Sequence, residues 1–372
     1  MKISGVKITG GVRLDTTASP TDPSKLVVGA WGDSPNGGFS GSVYVYNTDG
    51  TGEVKISPSD GTASALFGWS VDKTSSKIVV GAQRDIATSK GSVYVFNTDG
   101  TGQVKVTASD GADQDLFGRS VGISDTHIVV GSASGFGAAY VYNLDGSGQQ
   151  KIVSSDINNG DRFAASVAIN STKIVVGATG DADAGSSTGS VYVYNLDGTG
   201  EVKITASDAG AFDFFGESVA MSDTKVVVGA NGVDSNKGAA YVYNTDGTGE
   251  LRITTSSTSG DSFGTTVAVS DTHILVGAPY SDDAGSASGS AYVYNLDGTG
   301  EVKITASDGS RDDYFGRAVA LQGDKVIVGG YRFNEMGSSD MKVYMYNLDG
   351  TGEQKISPSD IAGDDFPGTA VA

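Results

Sequence analysis

Short runs of β-branched and aromatic residues alternate with Gly- and Asp-rich turns along the whole chain, and no stretch keeps a helical period. The clearest run is Ser190-Val191-Tyr192-Val193-Tyr194-Asn195-Leu196-Asp197-Gly198-Thr199-Gly200-Glu201-Val202-Lys203-Ile204-Thr205. Its two apolar arms carry the residue types that suit a pleated strand. Asn195 to Gly200 is turn chemistry. The Asp-Gly pair reaches φ > 0 at little cost, and the second Gly relieves a bulge. The stretch predicts one hairpin, and the chain writes it seven times. The Asp-Gly turns fall at Asp49, Asp99, Asp145, Asp197, Asp246, Asp297 and Asp349, at spacings of 46 to 52 residues.

Two further markers keep step. One is an apolar triplet ending in Gly, as in Ile174-Val175-Val176-Gly177. The other is Phe-Gly or a variant, at Phe67, Phe117, Phe163, Phe215, Phe263, Phe315 and Phe366. Each unit therefore has four short strands. A follows Phe-Gly, B is the triplet, C is Val-Tyr-Val-Tyr and D is Glu-Val-Lys-Ile-Thr. A repeat of this length with four strands predicts an all-β fold, a seven-bladed β-propeller with four antiparallel strands per blade. Strands B and C are apolar on both faces, as a sheet packed between two other sheets requires.

The ends of the chain break the pattern. Residues 1–24 read as an irregular N-terminal arm or strap, and 25–372 as a single propeller. Phe366 to Ala372 is a strand A with no B, C or D after it. The simplest ring uses it as the inner strand of the blade formed by residues 25–60, so that strands from both termini close one blade. The rival closure uses Val12-Arg13-Leu14 for that strand.

In such blades the A–B and C–D turns share one face of the disc, and the B–C loops and D–A connections share the other. The A–B turns are short and alike, as in Ser222-Asp223-Thr224. The B–C loops differ in every copy, and variable loops on a rigid scaffold are where function usually sits. They carry Trp31, Phe39, Arg84, Phe136, Tyr280, Tyr331, Arg332 and Phe333. Aromatic and Arg side chains dominate binding hot spots, so these eight are the expected ligand-binding residues.

Composition narrows the partners. The 372 residues carry a net charge of −19, with no cysteine and two histidines. A nucleic-acid binder needs a basic footprint, which is missing. The absence of cysteine removes disulfides and thiolate sites. His127 and His273 occupy a slot that Lys fills in other copies, which makes them surface strand residues. No run has the length of a transmembrane helix, and Met1 to Ile8 lacks the apolar core of a signal peptide.

Two acidic B–C loops supply the chemical candidates. Asp181, Asp183, Asp282 and Asp283 are candidate metal ligands, or an acid and base acting on a sugar. The Asp-Gly hairpin itself lacks one oxygen of an EF-hand-like loop, because Val193 stands at its first position. The recurring Asp at the end of strand D and the Asp two residues before Phe read as turn-fixing residues.

Phe263-Gly264 followed by Ile274-Leu275-Val276-Gly277-Ala278-Pro279 resembles the FG-GAP repeats of integrin α-subunit-like seven-bladed propellers, over roughly residues 25–372. The resemblance implies a disc that binds other molecules through one face. Integrin-type repeats often hold calcium between Phe-Gly and Gly-Ala-Pro, where this chain has only a tight turn. The hairpin text is also similar to propeller repeats of marine phage and bacterial proteins. The expectation is a non-catalytic binding protein, virion-associated (in a phage tail or fibre) or extracellular, that recognises a protein or glycan surface. Other virion proteins are among the expected partners, with no nucleic acid, no membrane insertion and no required cofactor. The alternatives are a calcium-dependent, integrin-like adhesion protein of a marine bacterium and a carbohydrate-active enzyme.

Overall fold

A computed structural model describes residues 25–85, 89–255, 260–333, 339–360 and 367–372, and of residues 331–333, 339–342 and 367–369 it describes the backbone alone. The expected arm at 1–24, the rival strand at Val12–Leu14 and Phe366 lie outside the described residues. Twenty-eight strands form seven four-stranded antiparallel sheets. The single helical turn among the described residues, Val233–Asn236, has Asp234 and Ser235 in the left-handed region and belongs to a B–C loop.

The blades follow the chain, with one exception. Blade 1 takes strands B, C and D from Lys25–Ala30, Ser42–Asn47 and Val54–Ile56, and its inner strand from Pro367–Val371. Val28 pairs with Val371, and Val27 and Ala372 exchange backbone hydrogen bonds of 2.9 and 3.0 Å. The closure by both ends of the described chain is thus the one expected.

Strands B and C are buried along nearly their whole length. Neither face meets water because each face packs on the next blade. The core is accordingly seven apolar clusters, one at each seam. Between blades 6 and 7, for example, Leu275, Val293 and Ile304 meet Val326, Val328, Tyr344 and Tyr346.

The repeated markers turn out to be the two sides of one seam contact. Phe263 bridges to Gly238 of the preceding blade, and its ring stands edge-on to Tyr292 and Tyr294 of its own blade. Gly277, the triplet Gly of blade 6, lies so close to Phe-Gly of blade 7 that a Cβ there would stand 2.0 Å from the Gly316 carbonyl oxygen. Hydroxyls add a pin on the inner side. Ser166, Ser218 and Thr266 donate to the carbonyls of Gly216, Gly264 and Gly316 in the next blade at 2.8, 3.1 and 2.8 Å.

A polar latch closes the outer side. Asp156, at the end of strand D in blade 3, accepts from Tyr192 at 2.8 Å and Lys203 at 2.7 Å, both in blade 4. Lys105–Asp60, Lys151–Asp110, Arg252–Asp208, Lys355–Asp308 and Lys55–Asp360 repeat the ion pair at five more seams. At the remaining seam the sequence has Ser257 in the Asp position, and Lys303 pairs with Asp283 of its own blade. The recurring Asp of strand D is therefore architectural. So is the Asp before Phe: Asp115, Asp161, Asp213 and Asp313 accept backbone N–H bonds of 2.6 to 2.7 Å that fix the D–A turn.

One loop differs from expectation. Tyr331–Phe333 and Ser339–Asp340 do not form a B–C loop. They prolong strands B and C of blade 7 to nine residues each, with Tyr331 opposite Met341. Alternating aromatic and long side chains favour the extended pairing. The side chains of Tyr331, Arg332 and Phe333 lie outside the described residues.

Candidate functional site

Trp31 is the first residue after strand B of blade 1, and Phe39 follows in the same loop. Backbone hydrogen bonds zip this loop to the D–A connection of blade 2: Ser64 N to Gly38 O at 2.8 Å, Leu66 N to Phe39 O at 3.1 Å and Phe67 N to Ser40 O at 3.1 Å. The zipper brings the loop beside Trp69, the third residue of strand A in blade 2. The rings of Trp31 and Phe39 stack at 6.3 Å, and those of Trp31 and Trp69 meet at 5.7 Å with a tilt of 50°. Together with Ser64, Leu66 and Arg84 these rings line a cavity of about 390 Å³.

Three of the expected residues, Trp31, Phe39 and Arg84, thus meet in one place. Phe39 is 44% exposed, which is unusual for a large apolar ring. Phe39, Ser64 and Leu66 have φ of 57°, 64° and 57°. That conformation does not mark the site, because Ser89, Ser187 and Ala287 repeat it in other blades. It belongs to the scaffold.

The other expected aromatics stand elsewhere on the face. Phe136, on blade 3, is 58% exposed, and Tyr280, on blade 6, is 43% exposed and packs edge-on against Tyr314 at 5.5 Å. Neither lines the cavity at blades 1 and 2. Phe212, absent from the expectations, is 59% exposed in a D–A connection.

Trp69 also belongs to the central channel. The third residue of successive inner strands, or its equivalent, reads Trp69, Arg119, Ala165, Glu217, Thr265 and Arg317. These positions surround a chamber of about 320 Å³ at the channel mouth. Below it a belt of valines, from Val71 round to Val371, separates the mouth from a second chamber of about 300 Å³ that contains Asp72, Lys73 and Gln322. Glu217 is exposed at the mouth, and the surrounding strands withdraw part of the hydration of its carboxyl. That enclosure holds its carboxyl above the ordinary value, against the opposing charges of Arg119, Arg317 and Arg162.

Sequence reasoning did not find Trp69, Arg119, Glu217 or Arg317. The available signal was the slot after Phe-Gly. It holds Trp, Arg, Ala, Glu, Thr and Arg in a strand whose other positions recur.

The acidic candidates make a different arrangement. Asp181 and Asp183 join Asp156 around the ammonium of Lys203, at 2.8, 2.6 and 2.7 Å. Asp181 also accepts from Tyr192 at 3.1 Å. Asp283 ion-pairs with Lys303, and Asp282 accepts from the backbone N–H of Ala287 at 2.8 Å. A lysine head thus stands where three carboxylates converge. Among the described residues no group of three or more His, Cys, Asp or Glu is placed to hold a metal ion.

Nor do the residues between Phe-Gly and the triplet fit calcium. Ser222 Oγ accepts from Thr224 N and Lys225 N at 3.3 and 3.2 Å, which leaves a capped tight turn without a ring of oxygen ligands. The Asp-Gly hairpin likewise uses its oxygens internally. Asp197 accepts from both N and Oγ1 of Thr199 at 3.0 and 2.6 Å.

Six segments of the chain, 51–96, 101–142, 147–194, 199–243, 253–294 and 299–346, match the family model described as FG-GAP repeat. They cover well over half of the sequence. No curated protein matches the chain. No described helix is long and apolar enough to cross a membrane.

Proposed function

Since the chain belongs to the FG-GAP repeat family, whose propellers generally serve binding, we propose that it is a non-catalytic docking protein that recognises a glycan or protein surface through its B–C-loop face. The observation that carries this reading is the convergence of Trp31, Phe39, Trp69 and Arg84 on one cavity at a blade seam. Every repeated residue type is accounted for by blade building: Tyr, Lys and Asp in the latches, Phe and Gly in the seams. The four residues of this cavity are not part of that repeat. Partly exposed aromatic rings beside an arginine match the composition of binding hot spots.

The setting we propose is a virion or extracellular surface. The strongly acidic composition supports it, because it keeps a surface protein apart from nucleic acids and anionic membranes. The likeness of the hairpin text to phage and marine bacterial repeats points the same way. Asp181, Asp183, Asp282 and Asp283 take part in ion pairs and turn bonds, so the enzyme reading gains no acid–base pair from them.

Immobilised glycans and candidate surface proteins provide the test, with Trp31→Ala and Phe39→Ala compared with the unaltered protein. Removal of either ring should weaken capture by tenfold or more, about 1.4 kcal/mol or above. Capture that survives both changes, yet is lost on altering the opposite face around Asp197, would overturn the assignment.

A further inference from the structure

The charge of the channel mouth is opposite to that of the protein. The chain as a whole carries −19. At the mouth, Arg119 and Arg317 line the chamber with a single acid, Glu217, and Arg162 adds a more distant positive charge. Two cations against one anion leave the mouth positive. Arg252 and Arg311 are held in ion pairs with Asp208, Asp234 and Asp312. Arg119, Arg162 and Arg317 make none among the described residues. At six seams an Asp of strand D neutralises a lysine or arginine of the next blade, and the guanidinium groups at the mouth stand outside that scheme.

Three further observations bear on what would enter. The valines from Val71 to Val371 line the inner side of the chamber, so the charged end of an occupant stays with the arginines nearer the B–C face. Trp69 lines both this chamber and the cavity with Trp31, Phe39 and Arg84, so the aromatic platform adjoins the cationic well along one indole, the path an extended ligand would follow. The serine and threonine hydroxyls beside the arginines are already given to neighbouring blades, as with Ser166, Ser218 and Thr266.

We propose that this path is a binding site for an acidic polysaccharide, whose sugar faces stack on Trp31, Phe39 and Trp69 and whose terminal carboxylate or sulfate groups reach Arg119 and Arg317. The inference rests on the docking reading above and names its ligand class. A sugar ring offers a flat C–H face to an aromatic ring, and its acid group pairs with the planar guanidinium fork. A peptide of like charge would bring backbone N–H and C=O groups into a well whose hydroxyls and carbonyls are already bonded to each other.

The test is a fluorescence titration. The chain has two tryptophans, both in this site, so intrinsic emission reports occupancy without a label. The probes are a hexamer of galacturonic acid, a neutral glucose hexamer and hexaglutamate. The uronate should bind, weaken as salt rises and exceed the neutral hexamer in affinity by tenfold or more. Arg119→Gln with Arg317→Gln should weaken it at least tenfold, the loss of one or more charge-assisted pairs, at an unchanged melting temperature. Glu217→Gln should tighten it, because the one opposing charge is removed, and a purely structural role for Glu217 would not give that sign. Equal affinity for the neutral hexamer, indifference to the arginine changes, or preference for hexaglutamate would each overturn the proposal. If the uronate fails while a protein partner is captured through Trp31, the docking reading stands and this inference falls. If the uronate binds through the arginines but ignores Trp31→Ala and Phe39→Ala, the aromatic platform falls and the cationic well remains.

Discussion

The indole rings of Trp31 and Trp69 lie 5.7 Å apart at a tilt of 50°, one on the outer loop of blade 1 and the other on the inner strand of blade 2. They are the two tryptophans of the chain, and neither is required to build a blade. Two indoles at that distance and tilt couple electronically. The circular dichroism spectrum should show an exciton couplet in the far ultraviolet, and Trp31→Phe or Trp69→Phe alone should abolish it. A couplet that persists in either variant would mean that the rings do not meet as described.

Gly277 tests the seam. Its backbone is an ordinary strand, so the difficulty with a side chain is steric: a Cβ would stand 2.0 Å from a backbone oxygen of the next blade. Gly277→Ala should destabilise the ring by about 2–3 kcal/mol, the cost of overpacking a rigid contact. Gly38, with nothing near its Cβ position, should accept alanine with less than about 1 kcal/mol of change. Denaturant midpoints of the two variants measure the contrast.

Lys203 tests the latch. The Asp181 side chain is 3% exposed, and Lys203→Met would leave it buried without its cation. The expected loss is about 2–3 kcal/mol at neutral pH, reduced from that of a fully buried pair because Asp156 and Asp183 reach water. The pH dependence follows from the same geometry. Burial raises Asp156, but the bonds from Lys203, Ser154 and Tyr192 outweigh it and bring the carboxyl from 3.8 to about 2. Burial also acts on Asp181, and the contacts of Lys203 dominate in lowering it. A depressed carboxyl stabilises the fold above its unfolded pKa and loses that effect as pH falls through its folded one. The stability gap between the two proteins should therefore be full above pH of about 4 and close toward about 2. A gap that does not change with pH would show that ionised carboxylates are not what Lys203 holds.

Asp72 gives the opposite slope. Its carboxyl lines the lower chamber, and burial lifts it to about 6, against hydrogen bonds from the N–H groups of Ile123 and Lys73. A raised acid penalises the folded state where it must ionise. Its contribution should improve as pH falls from about 6 toward 3.8. Asp72→Asn should remove that limb of the stability profile, whatever it does to absolute stability.

The closing blade can be tested covalently. Val28 and Val371 are direct antiparallel partners, and the chain has no cysteine of its own. Val28→Cys with Val371→Cys should form one disulfide under oxidation and raise stability by about 4–5 kcal/mol, the value for closing a very long loop. Failure to cross-link would place the inner strand of blade 1 elsewhere.

Much of this architecture was legible in the sequence because the repeat is written in residue types with local meaning. Asp-Gly sets a turn, Val-Val-Gly a buried strand, and Phe-Gly the entry to the next blade. The orphan strand A at the end of the chain announced its own closure. Trp31, Phe39 and Arg84 could be chosen because they interrupt variable loops. Trp69 and Arg119 could not be chosen in that way. Each sits in a strand that looks like its copies, and only closing the ring turns Trp69, Arg119, Ala165, Glu217, Thr265 and Arg317 toward one axis. The latch was hidden for a related reason. Tyr192 and Lys203 are one unit away from Asp156, and the sequence shows each within its own copy but not that they clasp across a seam. The B–C loop expected to begin at Tyr331 does not form there, because Tyr331–Phe333 pair with Ser339–Met341 and prolong the strands.

Blade 1 is the one blade whose four strands do not follow one another along the chain, and Trp31 and Phe39 are mounted on it while Trp69 and Arg84 belong to its neighbour. A ligand that touches both sets therefore acts as a keystone. It binds the closed ring and has far less to hold once Pro367–Val371 has peeled from Lys25–Ala30. Occupancy and closure are then two views of a single equilibrium, and ligand in excess of its dissociation constant raises the resistance of the whole disc to opening with the logarithm of that excess.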